Sequence, residues 1–303
     1  MKEKTIKSVL VKKFHAWLDS IEDKNVRDLV ESDTIITGGC FVSLILNEKP
    51  SDFDVYFRNK ATVLAVAKYY ADRFNKAKGE NIVEVRVDEQ DNPDGDHRIR
   101  MWIQSKGIAG AVPETADAEV AAMAQVMDDA EDDKVTGTEG DTGNEPYRPV
   151  FFSANAISLS DKIQITVRFW GQPSDIHDTY DFVHTKAYWT SWDNQVVIPK
   201  DVYEAVINKS LVYTGSKYPV CSVFRLRKFI KRGWNVNAGQ ILKMAFQISK
   251  LDLEDLNVLE DQLVGVDSAY FAMLIEQLRR QKEKNPEFEV TEPYLVSIID
   301  KIF

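Results

Sequence analysis

The spacing of apolar residues changes from helical to alternating in the N-terminal part of the chain. Between residues 4 and 31 apolar side chains recur every three or four positions, which predicts one or two leading helices. A β-branched run at 34–37 is followed by an apolar stretch of helical length at 39–47 and by alternating residues at 52–57. The pattern therefore predicts a strand–helix–strand unit behind the leading helices.

Further along the chain, alternating runs give way to a long helical pattern. A tight turn at Ser160-Asp161 is expected to join two strands, and from Pro199 onward the spacing is helical. The sequence thus predicts an α+β chain, with a mixed β-sheet head and flanking helices over residues 1–195 and an all-helical C-terminal domain over residues 196–303. The remaining expected elements are a helix at 60–74 and strands at 82–88, 98–103, 154–159, 162–170 and 180–189.

The net charge of −10 is concentrated in one segment. Residues 111–145 hold eleven acidic side chains and one lysine, so the remainder of the chain is electrically neutral. The wider stretch from 106 to 147 has no aromatic residue before Tyr147, and such a composition cannot bury enough apolar surface to order itself. We therefore expect an inserted flexible loop with a short helix around Ala116–Asp129. A regulatory or nucleic-acid-mimicking acidic arm is the alternative.

The overall composition is that of a globular protein, with 44% apolar and 11% aromatic residues. The 303 residues are enough for two domains and a sizeable core. Two cysteines, Cys40 and Cys221, argue against a disulfide framework and favour a reducing compartment. No apolar run reaches the roughly 20 residues of a membrane span, and charges interrupt the N-terminal apolar residues, unlike in a signal peptide. We expect a cytoplasmic protein without a membrane partner.

Candidate chemistry lies in the strand–helix–strand unit. In alternating geometry Asp52 and Asp54 point to the same face of their strand, about 7 Å apart by strand rise, and their like charges repel. A cation between them relieves that repulsion, and two carboxylates completed by substrate phosphates suit Mg²⁺. The pair Gly38-Gly39 opens the intervening helix, whose free N–H groups attract a phosphate. Metal beside phosphate indicates phosphoryl or nucleotidyl transfer, although a solvated strand edge and an ordinary turn are the simpler interpretations of each piece alone.

The order of strand, glycine pair, short helix, proline and carboxylate strand resembles the polymerase-beta-type nucleotidyltransferase superfamily. It is most similar to the head of class II CCA-adding enzymes and poly(A) polymerases, whose pattern is G-G-x-V-R-D-x-L-L-G-x-x-P-x-D-x-D. Val42 and Ser43 stand where that pattern has Arg and Asp. The residues that match it without a gap are Gly38, Gly39, Leu46, Pro50, Asp52 and Asp54.

The resemblance implies a nucleotidyltransferase-type sheet and a reaction that moves a nucleoside monophosphate from an NTP, such as ATP, to a hydroxyl with release of pyrophosphate. It implies Mg²⁺, or Mn²⁺ in its place, held by Asp52 and Asp54. The phosphates would lie at Gly38 and Gly39, with Ser43 as a further donor. The implied acceptor is an RNA 3′ end, tRNA in particular, so the implied partners are an NTP and RNA. The chain also resembles nucleotidyltransferase-like proteins of large phages.

A second informative segment runs from residue 174 to 189. Asp181 lies in an aromatic run, where a charge needs a cation, a hydrogen-bond donor or a metal as its partner. The superfamily has a third metal-binding carboxylate on a later strand, and Asp181 is the candidate for it. The run from Asp181 to Thr185 also resembles the family's D-F-T-I-N segment beside the incoming nucleotide, and both roles stay open. His177 and His184 lack the cysteine ligands typical of zinc, and His184 on a strand is more often a half-buried, satisfied residue than a catalytic base.

The third informative segment, residues 224–236, concentrates five positive charges. On a helix Arg225, Lys228 and Arg232 share one face, which can bind a triphosphate or a nucleic-acid backbone. A solvated basic face is the simpler interpretation. The segment resembles the family's R-A-V-R-F-A-A-R-L-G-F-T-I helix with one residue fewer before the glycine, and the three residues then fall on its basic positions. The residues expected on the buried face are Leu226, Phe229 and Ile230.

The function predicted from the sequence is a Mg²⁺-dependent nucleotidyltransferase with Asp52, Asp54 and Asp181 as its carboxylates. Two other functions stay open. One is a catalytically inactive fold used as a binding or assembly module, and the other is a toxin-type enzyme that transfers a nucleotide to tRNA or to a protein. The family's base-reading Asp and Arg map to about Pro219 and Ser222, which cannot read a base in the same way.

Overall fold

The computed structural model of the chain describes five stretches of residues. The acidic insertion, including the short helix expected at Ala116–Asp129, lies outside them except at its C-terminal end. The described stretches are 1–79, 83–88, 98–103, 146–152 and 155–262, together with the single positions 285 and 293.

The chain divides into two compact units. The first unit comprises Met1–Gln104 and Pro146–Lys250, and the second comprises Ser105–Glu145 and Leu251–Phe303. The domain boundary expected at residue 195 stays a prediction. In the second unit, the described part of the chain contains one helix, Leu256–Gln262, which we label α9.

The first unit combines helices with two sheets. Its helices are α1 (Glu3–Leu18), α2 (Lys24–Asp33), α3 (Gly39–Leu46), α4 (Lys60–Lys78), α5 (Pro173–Asp178), α6 (Lys200–Ile207), α7 (Pro219–Lys231) and α8 (Ala238–Ile248). Its strands are β1 (Thr34–Thr37), β2 (Phe53–Phe57), β3 (Val83–Asp88), β4 (Arg98–Ile103), β5 (Pro149–Phe152), β6 (Ala156–Leu159), β7 (Ile163–Trp170), β8 (Tyr188–Thr190) and β9 (Gln195–Val197).

The larger sheet has seven strands in the order β5-β6-β7-β2-β1-β8-β9, and β3 and β4 form a separate hairpin. The pair β2–β7 is parallel and the other strand pairs are antiparallel. The sheet is therefore mixed, with helices around it, and regular structure after β9 is helical as far as residue 262. The α+β fold class expected from the sequence is confirmed.

Each central strand has two unlike faces because side chains alternate across a sheet. One face packs against α1 to α4 and forms the main apolar core, to which Ile36, Val55 and Trp189 contribute. The other face carries a much smaller apolar cluster built on Ile35 and Tyr56. The register aligns Thr37 of β1 with Asp54 of β2, so polar residues collect on this second face at one end of the strands.

Several elements differ from expectation. Instead of a strand over 180–189, the chain forms a 3₁₀ turn at Val183–Thr185 and then the short strand β8. The Thr185 hydroxyl donates to the Phe182 carbonyl at 2.9 Å, and such local hydrogen bonds compete with a strand. The edge strands β5 and β9, four and three residues long, were not predicted.

Within the described residues the other predicted elements are present, with ends that differ by a few residues. The turn between β6 and β7 lies at Asp161 and Lys162, both at positive φ (62° and 65°), as a tight hairpin turn requires. Among the described residues, no helix is both long enough and apolar enough to cross a membrane.

Candidate active site

The site is built where β1 ends and α3 begins. Gly38 adopts φ +87° and precedes the first residue of α3, so the chain turns sharply at the end of β1. A Cβ atom on Gly38 would lie 2.2 Å from Oδ2 of Asp54, whereas one on Gly39 would meet nothing within 4 Å. The Asp54 carboxylate therefore occupies the space left by the missing side chain of Gly38. The Gly39 N–H donates a hydrogen bond to it.

The Asp54 carboxylate is electrostatically unfavourable in the folded chain. Its withdrawal from water, followed by the charge of Asp52, raises the Asp54 pKa to about 8. The Gly39 N–H and the charge of Arg225 act in the opposite direction. Asp52 immediately precedes β2, is half-buried, and accepts a hydrogen bond from Ser51 Oγ at 3.0 Å. The two carboxylates thus lie close enough to repel each other in a site with limited access to water.

The donor set fits a hard divalent cation that is completed by a substrate. Within the described residues, no group of three or more His, Cys, Asp and Glu side chains is arranged to hold a metal ion. Asp52 and Asp54 supply carboxylate oxygens, which Mg²⁺ prefers, and a cation would relieve the repulsion between them. Two protein ligands leave room for phosphate oxygens, so the residues fit a Mg²⁺ that is bound together with a nucleotide.

The third carboxylate candidate, Asp181, lies in the connection that follows α5, and its position on a strand was wrong. Its Oδ2 accepts a hydrogen bond from Arg225 Nη1 at 2.7 Å, which makes a partly buried ion pair. The sequence required a partner for this charge, and a cation from α7 supplies it. Metal ligation by Asp181 stays a prediction.

The other nucleotide-binding candidates lie at different places. Ser43 is half-buried one turn into α3, after the Gly38–Gly39 turn. Lys228 and Arg232 are exposed, Lys228 on α7 and Arg232 at its C-terminal end. Ile230 is 50% exposed, so its expected place on the buried face of α7 was wrong. Arg225, on the same helix, pairs with the buried carboxylate of Asp181.

A group of hydroxyls beside Asp54 was not predicted. The Thr37 hydroxyl donates to the Ala187 carbonyl at 2.7 Å and lies 2.9 Å from His177 Nε2. Tyr56 and Tyr180 are hydrogen-bonded to each other, and burial raises the Tyr56 pKa to about 12. Burial also lowers the His177 pKa to about 4. The strand alternation that predicts Asp52 and Asp54 on one face also predicts Tyr56 on that face, so Tyr56 could have been identified from the sequence.

His184 lies in an aromatic environment and not at the surface of the site. Its ring centroid is 4.4 Å from that of Trp234 and 4.6 Å from that of Phe229. Neither ring nitrogen has a hydrogen-bond partner among the described residues, and burial lowers the His184 pKa to about 4. The expected half-buried, satisfied histidine was therefore wrong: the residue is fully buried, unsatisfied within the described part of the chain, and neutral.

Three solved structures of CCA-adding enzymes resemble the chain at low sequence identity. The Thermotoga maritima enzyme complexed with tRNA is 12% identical, with a TM-score of 0.39, over 92% of this chain and 57% of the enzyme. The Bacillus stearothermophilus enzyme in complex with CTP is 13% identical, with a TM-score of 0.37, over 91% and 52%. An apo CCA-adding enzyme is 11% identical, with a TM-score of 0.34, over 91% and 56%. This chain spans about half the length of these enzymes.

Comparison at the level of sequence families gives a direct assignment. No curated protein matches the chain. The model of one family matches residues 8–209, which is more than half of the chain and includes the site from Gly38 to Asp181. The chain belongs to the Gabija anti-defense 2 family.

Proposed function

We propose that the chain is a Mg²⁺-dependent nucleotidyltransferase that transfers a nucleoside monophosphate from an NTP to a hydroxyl acceptor. The observation that carries the proposal is the Asp54 carboxylate packed against Gly38 and hydrogen-bonded to Gly39, with Asp52 just before β2 and close enough for its charge to raise the Asp54 pKa. This arrangement supports the proposal, because two carboxylates next to the N-terminus of α3 suit a cation and a phosphate bound together. Phosphoryl and nucleotidyl transfer both use such a pair, and the sequence resemblance favours nucleotidyl transfer.

Each group of the site has a part in the proposed reaction. Asp52 and Asp54 would hold the Mg²⁺, which supplies charge neutralisation for the phosphates when bound. In the proposal a phosphate lies at the N-terminus of α3, where the helix dipole attracts an anion, and the glycine at position 38 lets the Asp54 carboxylate approach that turn. Arg225 adds a positive charge within electrostatic range of Asp54.

The proposed transfer conserves all atoms. The acceptor oxygen attacks the α-phosphorus of the NTP, the bond from that phosphorus to the oxygen that bridges it to the β-phosphate breaks, and pyrophosphate leaves. The proton of the acceptor hydroxyl passes to a carboxylate of the Asp52–Asp54 pair and then to solvent. The tyrosines at 56 and 180 are hydrogen-bonded to each other beside Asp54.

The acceptor is proposed to be an RNA 3′ end, tRNA in particular, as the sequence resemblance implies. The family match suggests an alternative acceptor. Because the family is described as Gabija anti-defense, the alternative is a hydroxyl on a component of the Gabija defence, modified by the same reaction. A toxin-type transfer to tRNA or a protein uses the same site chemistry.

A catalytically inactive binding module is the second candidate function. Val42 and Ser43 favour it, because they stand where the resembled pattern has an Arg and an Asp. The Asp52–Asp54 pair favours the enzyme, because a binding module has no need of two carboxylates that repel each other in a partly buried site.

The test is to incubate the purified protein with Mg²⁺ and each α-³²P-labelled NTP. Total RNA is added in one set of reactions and purified Gabija components in another. We expect label on one of the two acceptors and none with Asp52→Asn/Asp54→Asn. A matched control is Asp178→Asn, which removes an exposed carboxylate near the site and leaves transfer unchanged. Absence of label together with absence of Mg²⁺-dependent NTP binding would leave the binding module.

A further inference from the structure

The pairing of Asp181 with Arg225 shows how the positive charge of the site is held. Arg225 Nη1 lies 2.7 Å from Asp181 Oδ2, and the side chains are 34% and 9% exposed. A carboxylate so withdrawn from water needs a charged partner, and removal of the partner would leave an uncompensated buried charge. Asp181 is therefore committed to Arg225 in the folded chain.

Both ends of this ion pair are anchored by other contacts. The Asp181 carbonyl accepts a hydrogen bond from the Thr214 N–H at 2.9 Å, and the next residue, Phe182, pairs with Tyr213. On the side of α7, Phe229 lies one turn beyond Arg225 and packs edge-on against Phe182, with ring centroids 5.7 Å apart. The carboxylate and the helix that carries the guanidinium thus belong to one packed framework.

The anchored guanidinium lies near the candidate active site. The Thr185 carbonyl accepts a hydrogen bond from the Gly38 N–H at 3.3 Å, and the Thr185 hydroxyl donates to the Phe182 carbonyl, so the segment that begins at Asp181 packs against the turn that holds Asp54. In keeping with this placement, the positive charge of Arg225 lowers the pKa of the Asp54 carboxyl. About a third of the Arg225 side chain is exposed, so an anion from solution can reach it. Two carboxylates repel a polyphosphate, and a fixed cation beside them offsets that repulsion.

We propose that Asp181 is a positioning residue, which holds the Arg225 guanidinium beside the Asp52–Asp54 pair so that Arg225 binds the polyphosphate of the NTP. The assignment rests on the proposed function and replaces the metal-ligand role that the sequence suggested for Asp181. A positioning role differs from metal ligation in two measurable ways. Substitution of Asp181 should act only when Arg225 is present, and it should lower the affinity for phosphate and not the affinity for the metal.

The experiment is a double-mutant cycle on the full chain. The affinity for inorganic tripolyphosphate in the presence of Mg²⁺ is measured by calorimetry for each variant. We expect Arg225→Gln and Asp181→Asn each to weaken binding about tenfold, since a charge-assisted contact to phosphate is lost or misplaced. The double variant should bind no more weakly than Arg225→Gln alone. Asp181→Glu keeps the charge and should restore most of the affinity. Lys231→Gln removes an exposed charge from the same helix and should have no effect.

A second measurement separates positioning from ligation. The affinity for Mn²⁺ in the absence of phosphate is measured by electron paramagnetic resonance. It should be the same for Asp181→Asn and the unmodified chain, and it should be lower for Asp54→Asn. Three outcomes would each overturn the proposal. Asp181→Asn could lose Mn²⁺ affinity, the effects of the Asp181 and Arg225 substitutions on tripolyphosphate binding could be fully additive, or the unmodified chain could bind no tripolyphosphate. Thermal unfolding of every variant identifies any that fail to fold, and Asp181→Glu then carries the comparison.

The two proposals fail in different ways. Tripolyphosphate has no transferable nucleotide, so its binding does not depend on an acceptor or on turnover. If label transfer is absent but the cycle shows coupling, the proposed reaction is wrong and the polyphosphate site stands. If transfer occurs and the cycle is additive, the enzyme stands and the role assigned to Asp181 is wrong.

Discussion

The two faces of the central sheet are made by the same strands and yet are opposite in character. On one face Ile36, Val55 and Phe57 are fully buried in the main apolar core. On the other face the neighbouring residues, among them Thr37 and Asp54, carry oxygen atoms that meet at the Gly38 turn. Successive residues of a strand therefore point alternately into the apolar core, where they stabilise the fold, and toward the candidate active site. The apolar face stabilises a fold in which the other face holds two carboxylates that disfavour it.

The sharpest way to break this comparison is Asp54→Asn. We expect nucleotide transfer to fall about a thousandfold, because the loss of one carboxylate from the cation-binding pair removes several kcal/mol of stabilisation from the charged transition state. In the absence of metal the same variant should unfold at a higher temperature. The fold raises the Asp54 pKa to about 8, so at neutral pH this carboxyl must take up a proton when the chain folds, and an amide does not have this cost. Single-turnover transfer and thermal unfolding in EDTA measure the two effects. A variant that loses both activity and stability would contradict the separation of the two faces.

A second test concerns His184, the polar exception on the apolar side. Its pKa in the folded chain, about 4, lies below the ordinary histidine value of 6.5, so between these two pH values the unfolded chain binds a proton that the folded chain does not. The contribution of His184 to the free energy of unfolding should therefore be fully present above pH 6.5, and about 3 kcal/mol of it should be lost as the pH falls toward 4. Urea unfolding across this range measures the slope.

The matched variants for this slope are His184→Phe and His15→Phe. Because Phe cannot take up a proton, His184→Phe should lose this part of the pH dependence and keep the part due to His177, whose pKa is lowered in the same direction. His15 is exposed, and its replacement should leave the slope as it was. An unchanged slope in His184→Phe would mean that the imidazole is already charged or solvated in the folded chain.

A third test sharpens the comparison from the apolar side, at the residue next to Asp54. Val55 is fully buried, and Val55→Ala should lower the free energy of unfolding by about 2 kcal/mol through lost burial and a small cavity. Transfer per folded molecule should stay within about twofold, since the Asp54 carboxylate points away from the change. Val223→Ala, at a position 41% exposed, is the control and should change stability by less than about 0.5 kcal/mol. A large loss of activity in Val55→Ala at full folding would show that the two faces are not independent.

The parts of the fold and site that depend on neighbours in sequence could be predicted from sequence. The β-branched run of β1, the glycine pair and the alternation in β2 lie within a few residues of one another, and local geometry decides what each becomes. The same alternation is enough by itself to place Asp52 and Asp54 on one face of the strand. The close approach of Asp54 to Gly38 follows from pairing of β1 with β2, which the short connection through α3 favours.

The parts that depend on distant contacts could not be predicted. Asp181 and Arg225 are 44 positions apart, so the sequence shows that Asp181 needs a partner but not which one. His184 looks like a strand residue, yet its environment is set by Phe229 and Trp234 from another part of the chain. In each case tertiary packing overrides local propensity.

The finest test lies in the glycine pair, whose members the sequence treats alike and the structure does not. Gly38→Ala places a Cβ 2.2 Å from Asp54 Oδ2 at a φ of +87°, so both backbone strain and displacement of the carboxylate follow. We expect a loss of about 1–2 kcal/mol in the free energy of unfolding and a clear loss of transfer. Gly39→Ala, with nothing within 4 Å of its Cβ and an N–H that still donates to Asp54, should change stability by less than about 0.5 kcal/mol and retain transfer. Equal losses of stability and transfer in the two variants would mean that both glycines are needed only for the turn. A larger loss in Gly38→Ala would show that Gly38 is needed because a side chain there would displace the Asp54 carboxylate.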